Sequence, residues 1–363
     1  MKLEIEHSDL VKAMNSAASV VDKRNVIPIL GHVKIATNGD SVLFTTTNLE
    51  AEIQVKKPAS VTNEGVTTVS ANLLKDIAAR MPAGSMVSME IKDHDLIVKA
   101  GRQRYKMATL DADDFPELSA QGFESEQQLD GKTFAHILSR VKTAMSKEET
   151  RYYLKGIAMQ YRDDAFVFVA TDGHRLVKES LSGESIPDVI IPDAAVHVME
   201  RLAWDADTVT LHVSDSKVKI DAGDTVFTSK VIDGTFPDWT RVVPVLSDNV
   251  MTADAGQINI AASGVAVVSD QRTKSVKLTM SPNSANLSVR GADNFGEGDV
   301  DCEWNGEDGF AIGLNAQYLS DVLKLADKGT IRLHMSGAGD PVRVVFDESP
   351  ETVAVVMPMR IDS

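Results

Sequence analysis

The chain has 363 residues, a formal net charge of −16 and a single cysteine. One cysteine excludes an internal disulfide framework and is typical of a reducing compartment, so we expect a cytoplasmic protein. No apolar run reaches the roughly 18–20 residues that a membrane helix needs, so we expect no membrane partner. The acidity argues against a general nucleic-acid binder, because basic charge is the usual footprint of phosphate contact. It leaves room for local basic stripes.

The first third begins with a predicted strand, MKLEIE, in which apolar and acidic residues alternate as they do in a half-buried strand. A helix is predicted over residues 8–21 with Ser8 as its N-cap, because apolar residues recur there at the spacing of one helical face. That face consists of Leu10, Met14, Ala17, Ala18 and Val21. The rest of this third is predicted to contain three strands over 31–37, 41–46 and 50–56, then a second helix over 71–80. It ends with a strand pair over 86–91 and 95–100.

The second third repeats the order, with a helix over 132–145, strands over 162–171 and 175–181, and a helix over 193–202. In the last third, helices are predicted over 255–269 and 315–326. Two helices among many short strands in each third predict an α+β fold with antiparallel sheets rather than alternating βαβ units. Polar segments near 122–129 and 245–254 are the expected boundaries.

Two sequence markers recur with nearly the same period. Phe115, Phe236 and Met357, each followed by proline, lie at intervals of 121 residues. Turn sequences that begin at Thr47, Thr171 and Ala292 lie at intervals of 124 and 121 residues. This period is too long for a solenoid repeat of roughly 20–50 residues but suits a whole domain. We therefore predict three tandem copies of one domain, over residues 1–122, 129–246 and 251–363.

Motifs that carry chemistry are missing from the sequence. It has no P-loop, no dinucleotide fingerprint and no nucleophile elbow, and its eight histidines show no metal-ligand spacing. Paired acids such as Asp113-Asp114 and Asp163-Asp164 lie at predicted turns, where aspartate is favoured for structural reasons. We expect no catalytic residues, no metal and no cofactor.

Two segments do stand out. The turn Thr171-Asp172-Gly173-His174-Arg175-Leu176 carries a His-Arg pair that the corresponding turn of the first third, at Thr47, lacks. The C-terminal stretch Val355-Val356-Met357-Pro358-Met359-Arg360 is apolar and rich in methionine. It is typical of a last core strand or of an adaptable binding surface, and the two interpretations are compatible.

Four further sequence strings, together with these two segments, are typical of one protein family. They are Ile27-Pro28-Ile29-Leu30, Ala112-Asp113-Asp114-Phe115-Pro116, Arg151-Tyr152-Tyr153-Leu154 and Gly234-Thr235-Phe236-Pro237. Over essentially its whole length the chain resembles the bacterial β sliding clamps, the processivity subunits of DNA polymerase III. The resemblance implies the DNA clamp fold, with three tandem two-helix, antiparallel-sheet domains. It also implies a head-to-tail homodimer that closes into a ring of six domains around duplex DNA.

The resemblance further implies a hydrophobic pocket that binds short linear motifs of DNA polymerase III subunits, the clamp loader, other polymerases and repair proteins. An apolar concavity with a few polar groups suits such a ligand, and methionine lets it repack around different partners. The implied pocket residues are Arg151, Leu154, Thr171, Gly173, His174, Arg175, Leu176, Pro237, Arg241, Val242, Asn315, Tyr318, Val342, Val355, Met357, Pro358, Met359 and Arg360.

The same resemblance implies two further sets of residues. The expected DNA contacts are Arg24, Lys75, Arg80, Arg140, Lys142, Lys147, Tyr152, Tyr153 and Arg201. The expected dimer contacts are Tyr105 and Met107 on one side and Val267 and Val268 on the other.

Some positions depart from the family pattern. Asn72 and Asp193 begin the second helices where relatives often have basic residues. Thr273 stands where some relatives have an aromatic residue, and Asp362-Ser363 extends the usual C-terminus.

Two alternatives stay open at this point. A monomeric peptide-binding scaffold would use the same pocket without encircling DNA, which the net charge of −16 favours. An enzyme of an unrecognised class would need an acid, base or nucleophile cluster that the sequence does not show.

Overall fold

The computed structural model describes residues 1–22, 26–118, 122–123, 125–269, 274–291, 293–326 and 329–360. None of the helices in these ranges is both long and apolar enough to cross a membrane.

The first third follows the predicted order of elements. In chain order it contains β1 (Lys2–Glu6), α1 (His7–Ala17), β2 (His32–Asn38), β3 (Ser41–Thr47), β4 (Ala51–Pro58), β5 (Ser60–Asn63), β6 (Val66–Ser70), α2 (Ala71–Ala79), β7 (Met86–Lys92), β8 (Asp95–Ala100) and β9 (Gln103–Ala108).

The middle third repeats the pattern. It contains β10 (Ser125–Asp130), α3 (Gly131–Val141), β11 (Gly156–Arg162), β12 (Ala165–Thr171), β13 (Arg175–Ser182), β14 (Val189–Pro192), α4 (Asp193–Trp204), β15 (Thr208–Val213), β16 (Lys217–Ala222) and β17 (Thr225–Lys230).

The last third repeats it again. It contains β18 (Val250–Asp254), α5 (Ala255–Val265), β19 (Ser275–Ser281), β20 (Ser284–Arg290), β21 (Phe295–Asp301), β22 (Glu303–Trp304), β23 (Ala311–Asn315), α6 (Ala316–Leu323), β24 (Thr330–His334), β25 (Val342–Phe346), β26 (Val353–Val356) and β27 (Pro358–Met359).

The chain forms two compact units that do not follow the three sequence copies. The first unit comprises Met1–Ala135 and His197–Val231, and the second comprises His136–Val196 and Ile232–Ser363. The middle copy is therefore divided between the units. Strand pairing explains this division, because each half of the middle copy extends a sheet of a neighbouring copy.

The first unit contains an eight-stranded sheet in the order β10-β15-β16-β17-β4-β3-β2-β6 and a five-stranded sheet in the order β5-β1-β7-β8-β9. The two copies join where β17 pairs antiparallel with β4, with Phe227 opposite Ile53. Both side chains are almost completely buried.

The second unit contains a nine-stranded sheet in the order β14-β11-β12-β13-β26-β25-β24-β18-β22. Here the copies join where β13 pairs antiparallel with β26, with Leu176 opposite Val355. A five-stranded sheet, β21-β20-β19-β23-β27, completes the unit. The antiparallel pairing confirms the predicted α+β class.

The helices agree with prediction except at their ends. The helix α1 begins at His7, one residue before the predicted position, and Glu6 rather than Ser8 occupies the N-cap without a side-chain cap. The predicted ends of three helices are 3-10 turns, at Lys142–Ala144, Ala266–Val268 and Lys324–Ala326. Such tightening is common in the last turn of a helix, where the carbonyl groups lack intrahelical partners.

Candidate functional site

The turn over residues 171–176 joins β12 to β13 and is held by its own side chains. Asp172 Oδ1 accepts hydrogen bonds from the backbone N–H groups of His174 (2.9 Å) and Arg175 (3.0 Å). The Thr171 hydroxyl donates to the Arg175 carbonyl (2.7 Å) and accepts from the Gly173 N–H (3.1 Å). Gly173 has φ +88°, in the left-handed region that favours glycine. The turn therefore presents His174 and Arg175 on a fixed backbone.

The first copy contains the same turn without the His-Arg pair. Asn48 Oδ1 accepts from the N–H groups of Glu50 (3.1 Å) and Ala51 (2.8 Å), and the Thr47 hydroxyl donates to the Ala51 carbonyl (2.9 Å). Leu49 holds the position of Gly173 with φ +74°. The shared geometry supports the sequence repeat and leaves His174 and Arg175 as the addition of the middle copy.

Arg175 is fixed by acidic and aromatic neighbours. Its guanidinium lies 3.2 Å from the Asp172 carboxylate, forms an ion pair with Asp321, and lies 4.9 Å from the centroid of the Tyr318 ring. The His174 ring stacks on the same tyrosine, with centroids 5.7 Å apart and planes 12° apart. Burial raises the pKa of the Tyr318 hydroxyl above its ordinary value. Together, His174, Arg175 and Tyr318 present flat ring faces beside a guanidinium that is held in a fixed orientation.

The C-terminal segment passes from one sheet to the other beside this turn. The Met357 N–H donates to the His174 carbonyl (2.8 Å). Immediately after it, β27 pairs with β23, so that Met359 lies opposite Gly313. The residues Met357, Pro358 and Met359 are all half-buried. Flexible side chains are thus held beside the turn with part of their surface open to solvent.

The turn and the C-terminal strand each contribute a residue to a buried cluster that we call the apolar floor. It consists of Leu154, Ala158, Val169, Leu176, Ile190, Phe236 and Val355. Trp239 and Val243 pack against it with part of their surface exposed, and Val242 is 44% exposed. Predicted pocket residues from three distant segments therefore meet at one place.

One predicted pocket residue has no accessible surface. Val342 pairs with Val356 in the sheet and is completely buried. Its position in the core leaves a ligand no surface to contact.

The remaining predicted pocket residues differ in what they contact. Arg151 donates from Nη1 to the Asp172 carbonyl (3.3 Å), and Arg241 forms an ion pair with Asp238 (2.9 Å). Asn315 caps α6, because its Oδ1 accepts from the N–H groups of Gln317 and Tyr318. Pro237 and Arg360 are exposed. Asn315 thus has a structural role that also sets the position of Tyr318.

Sequence reasoning missed three residues of this site. Asp172 holds the turn by accepting backbone hydrogen bonds, and Asp321 neutralises the charge of Arg175. Trp239 packs on the apolar floor, and its indole N–H donates to Gln160 Oε1 (2.9 Å). Asp172 belongs to the 171–176 turn sequence, and aspartate at this place is a typical Asx-turn signal. Asp321 lies 146 residues from Arg175, so no local pattern could connect the two.

The predicted DNA contacts of the second unit differ in exposure. Tyr152 is 53% exposed and meets Tyr153 edge-on, with ring centroids 5.6 Å apart, while Tyr153 packs against the apolar floor. Lys147 is exposed and Lys142 half-buried. Arg140 is largely buried and forms an ion pair with Glu179 (3.0 Å), so its charge is already compensated within the fold.

The predicted DNA contacts of the first unit lie on its helices or outside the described ranges. Lys75 is half-buried on α2, and Arg80 donates to the Asp76 carbonyl (2.8 Å) at the end of that helix. Arg201, on α4, donates to the Ser19 hydroxyl (3.0 Å). Arg24 lies outside the described residues, as do Thr273 and the Asp362-Ser363 extension.

The predicted dimer contacts lie at or near the open edges of two sheets. Tyr105 and Met107 belong to β9, the last strand of its sheet; Tyr105 is half-buried and Met107 is only 2% exposed. In the second unit, Val267 is 78% exposed and Val268 half-buried, next to the edge strand β21, whose Phe295 is 54% exposed. An open strand edge with exposed apolar residues nearby is suited to pairing with another chain.

The described residues contain no group of three or more His, Cys, Asp or Glu side chains arranged to hold a metal ion.

Comparison with known protein families and structures gives matches along almost the whole chain. The family models of the DNA polymerase III beta subunit match as its N-terminal domain over residues 1–119, its central domain over 128–238 and its C-terminal domain over 240–360. The beta sliding clamp of Caulobacter vibrioides is 35% identical over 374 residues, covering 99% of this chain and all of the relative.

Solved structures agree with these matches. The DNA polymerase sliding clamp from Caulobacter crescentus superposes with a TM-score of 0.94 at 35% identity, covering 99% of this chain and all of that one. The sliding clamp from Pseudomonas aeruginosa bound to griselimycin gives a TM-score of 0.95 at 29% identity, with the same coverage. The chain therefore belongs to the DNA polymerase III beta subunit family, the beta sliding clamps, which are processivity factors of replication and not enzymes.

Proposed function

We propose that two copies of this chain pair head-to-tail into a ring that encircles duplex DNA in the cytoplasm. The open edges β9 and β21 support this proposal, because pairing them across two contacts satisfies the backbone groups of both strands. A head-to-tail contact that repeats around a closed path leaves no free ends. The acidic charge fits such a ring, since tight neutralisation of many phosphates would oppose sliding.

DNA contact in this ring falls to a limited set of side chains. Tyr152 and Lys147 offer an exposed ring and an exposed ammonium, and Lys142, Lys75 and Arg201 extend the set. Basic side chains and tyrosine hydroxyls contact the phosphates and sugars of duplex DNA without sequence preference.

The ring tethers its partners through the pocket built on the 171–176 turn. The observation that carries this proposal is the half-buried Met357-Pro358-Met359 segment, which is hydrogen-bonded to the turn and is separated from Val355 of the apolar floor by one residue. This surface suits short linear motifs with aliphatic or aromatic anchors. The partners are DNA polymerase III subunits, the clamp loader, other polymerases and repair proteins. Clamps of this family from Bartonella birtlesii and Pseudomonas aeruginosa have been solved with griselimycin bound.

The test is fluorescence anisotropy with a labelled peptide that carries leucine and phenylalanine anchors. Met359→Asp places a charge where an apolar anchor binds, and losing the burial of one such side chain corresponds to about 1.5–3 kcal/mol. We expect binding at least about tenfold weaker than for the unmodified chain.

The matched control is Met86→Asp, at a methionine that is 50% exposed on β7 of the first unit. It introduces the same change away from the pocket and should leave the peptide affinity unchanged. Equal affinities for Met359→Asp and Met86→Asp would contradict the pocket assignment.

A further inference from the structure

The segment that follows Val242 of the peptide pocket carries two more exposed aliphatic residues. Val242 is 44% exposed, Val245 is 83% exposed and Leu246 is 56% exposed. A single exposed aliphatic residue is ordinary on a protein surface, but neighbouring ones that continue a binding surface indicate a contact. We call Val245 and Leu246 the connector ledge.

Strand register places this segment on the same face of the nine-stranded sheet as the apolar floor. Leu176 and Val355, both of the floor, lie opposite each other on β13 and β26. The next residues in this row are Arg343 on β25, opposite Val355, and His334 on β24, opposite Arg343. Directly opposite residues of antiparallel strands point to the same face. The row therefore runs from the floor across two further strands.

The side chains at the end of this row hold the connector ledge on both sides. Arg343 Nη1 donates to the Pro244 carbonyl (3.1 Å), just before the ledge. His334 Nδ1 donates to the Ser247 carbonyl (2.8 Å), just after it. Val243 packs against the floor itself. The ledge is thus a fixed continuation of the pocket surface, which a ligand does not have to order.

The position and size of the connector ledge determine what can bind it. Neighbouring strands lie about 4.8 Å apart, so β24 lies about 10 Å from β26, with β25 between them. About three residues of an extended peptide span this distance. Two aliphatic side chains present far less than the roughly 800 Å² that each partner buries in a stable protein–protein interface. The ledge therefore suits a residue of a chain that the pocket already holds, rather than a separate protein.

We propose that the connector ledge binds an aliphatic residue that a partner carries about three positions beyond the motif held in the pocket. This contact removes the partner's side chain, Val245 and Leu246 from water, which strengthens binding in proportion to the apolar area buried. Partners with such a residue bind more tightly than partners that share the motif alone, so the ledge discriminates among partners that compete for one pocket. This inference rests on the proposed function, because the pocket must first hold the motif.

The experiment compares labelled peptides by fluorescence anisotropy. One is the motif peptide with its leucine and phenylalanine anchors. The others add three residues before or after the motif, with either leucine or serine as the outermost residue. At one end or both, we expect the leucine peptide to bind about fivefold more tightly than its serine counterpart, because a partly buried leucine gains only part of its transfer free energy.

A double variant tests whether the connector ledge causes this preference. Val245→Ser, Leu246→Ser should bind the unextended peptide as the unmodified chain does and should lose the preference for leucine. The matched control, Val26→Ser, Ile27→Ser, removes a pair of the first unit that is 96% and 49% exposed, and it should keep the preference.

Each other outcome overturns the inference. Equal affinities of the leucine and serine peptides at both ends would leave the pocket standing and remove the ledge contact. A leucine preference that persists in Val245→Ser, Leu246→Ser would place the contact elsewhere, and its loss in the control pair would make it unspecific. Weaker binding of the unextended peptide to the ledge variant would assign these residues to the motif itself. Absence of unextended-peptide binding to the unmodified chain would overturn the proposed pocket and the ledge with it.

Discussion

Removal of Arg140 alone should destabilise the second unit strongly. The Arg140 side chain is 19% exposed and that of its partner Glu179 is 7% exposed. Glu179 also accepts a hydrogen bond from the Thr352 hydroxyl (2.8 Å). Arg140→Met keeps most of the aliphatic volume while leaving a buried carboxylate without its counter-charge.

Breaking a buried ion pair by removing one partner typically costs about 3–5 kcal/mol. We expect about 3 kcal/mol, because Arg140 retains some solvent exposure and Thr352 still donates to the carboxylate. The double variant Arg140→Met, Glu179→Gln has no unpaired charge and keeps the Thr352 contact. Its free energy of unfolding should lie within about 1.5 kcal/mol of the unmodified chain, which makes the two substitutions clearly non-additive.

The destabilisation should also depend on pH. Burial raises the pKa of Glu179, and the Arg140 charge opposes this rise. A raised carboxyl pKa contributes stability below its unfolded value, and this contribution is lost as the pH rises through the folded value. Without Arg140 the folded pKa rises further, so Arg140→Met should lose more stability at pH 8 than at pH 5.5.

The assay is urea unfolding followed by tryptophan fluorescence. The chain has three tryptophans, and Trp204 belongs to the first unit. In a Trp204→Phe background, Trp239 and Trp304 report on the second unit alone. An Arg140→Met variant within about 0.5 kcal/mol of its background at pH 8, the range of an ordinary surface substitution, would refute this account of the pair.

Three further outcomes are expected. Gly173→Ala, at φ +88°, should cost about 1–2 kcal/mol in stability and should weaken peptide binding. The control Gly84→Ala, at φ +72° with open space around it, should lower stability only. Equal peptide affinities for the two variants would contradict a role for the turn. Val267→Asp should convert a dimer into a single 39.3 kDa chain in light scattering, while Ile260→Asp, equally exposed on α5, should not; a persistent dimer would move the interface elsewhere. Deletion of residues 357–363 should abolish peptide binding with an unchanged circular dichroism spectrum, because β27 is a two-residue edge strand; unchanged binding would remove the C-terminal segment from the pocket.

Local periodicity predicted the helices, because each amphipathic face repeats within a few residues, but it predicted only some of the strands. The strand predicted over 162–171 is in fact the end of β11, a turn and β12. Periodicity could not predict the division into two units. That division depends on β17 pairing with β4 and β13 with β26, which joins strands far apart in the chain. Long-range strand pairing depends on which hydrophobic faces can be buried together. A stretch of about ten residues does not contain that information.

In the candidate site, too, sequence patterns predicted local motifs but not the contacts between distant residues. The 171–176 turn and the methionine-rich segment were visible as motifs, and their meeting beside one floor was implied by family resemblance. The partners of Arg175 and Arg140 were not visible. On a helix, Arg140 reads as a solvated cation, yet Glu179 from a neighbouring strand takes up its charge. Only tertiary structure distinguishes a basic residue that is available to DNA from one that stabilises the fold.

The central claim is that the chain forms a ring around duplex DNA, and retention of the protein on circular DNA tests this claim most directly. The labelled chain is loaded onto nicked circular DNA by the clamp loader of Caulobacter, whose own clamp is 35% identical to this chain and serves as the loading control. The DNA is then washed at high salt and cut once with a restriction enzyme. A ring should survive the salt wash on the circle and leave after linearisation, because its hold does not depend on phosphate contacts. Release by salt from the intact circle, or retention after the cut, would contradict the ring.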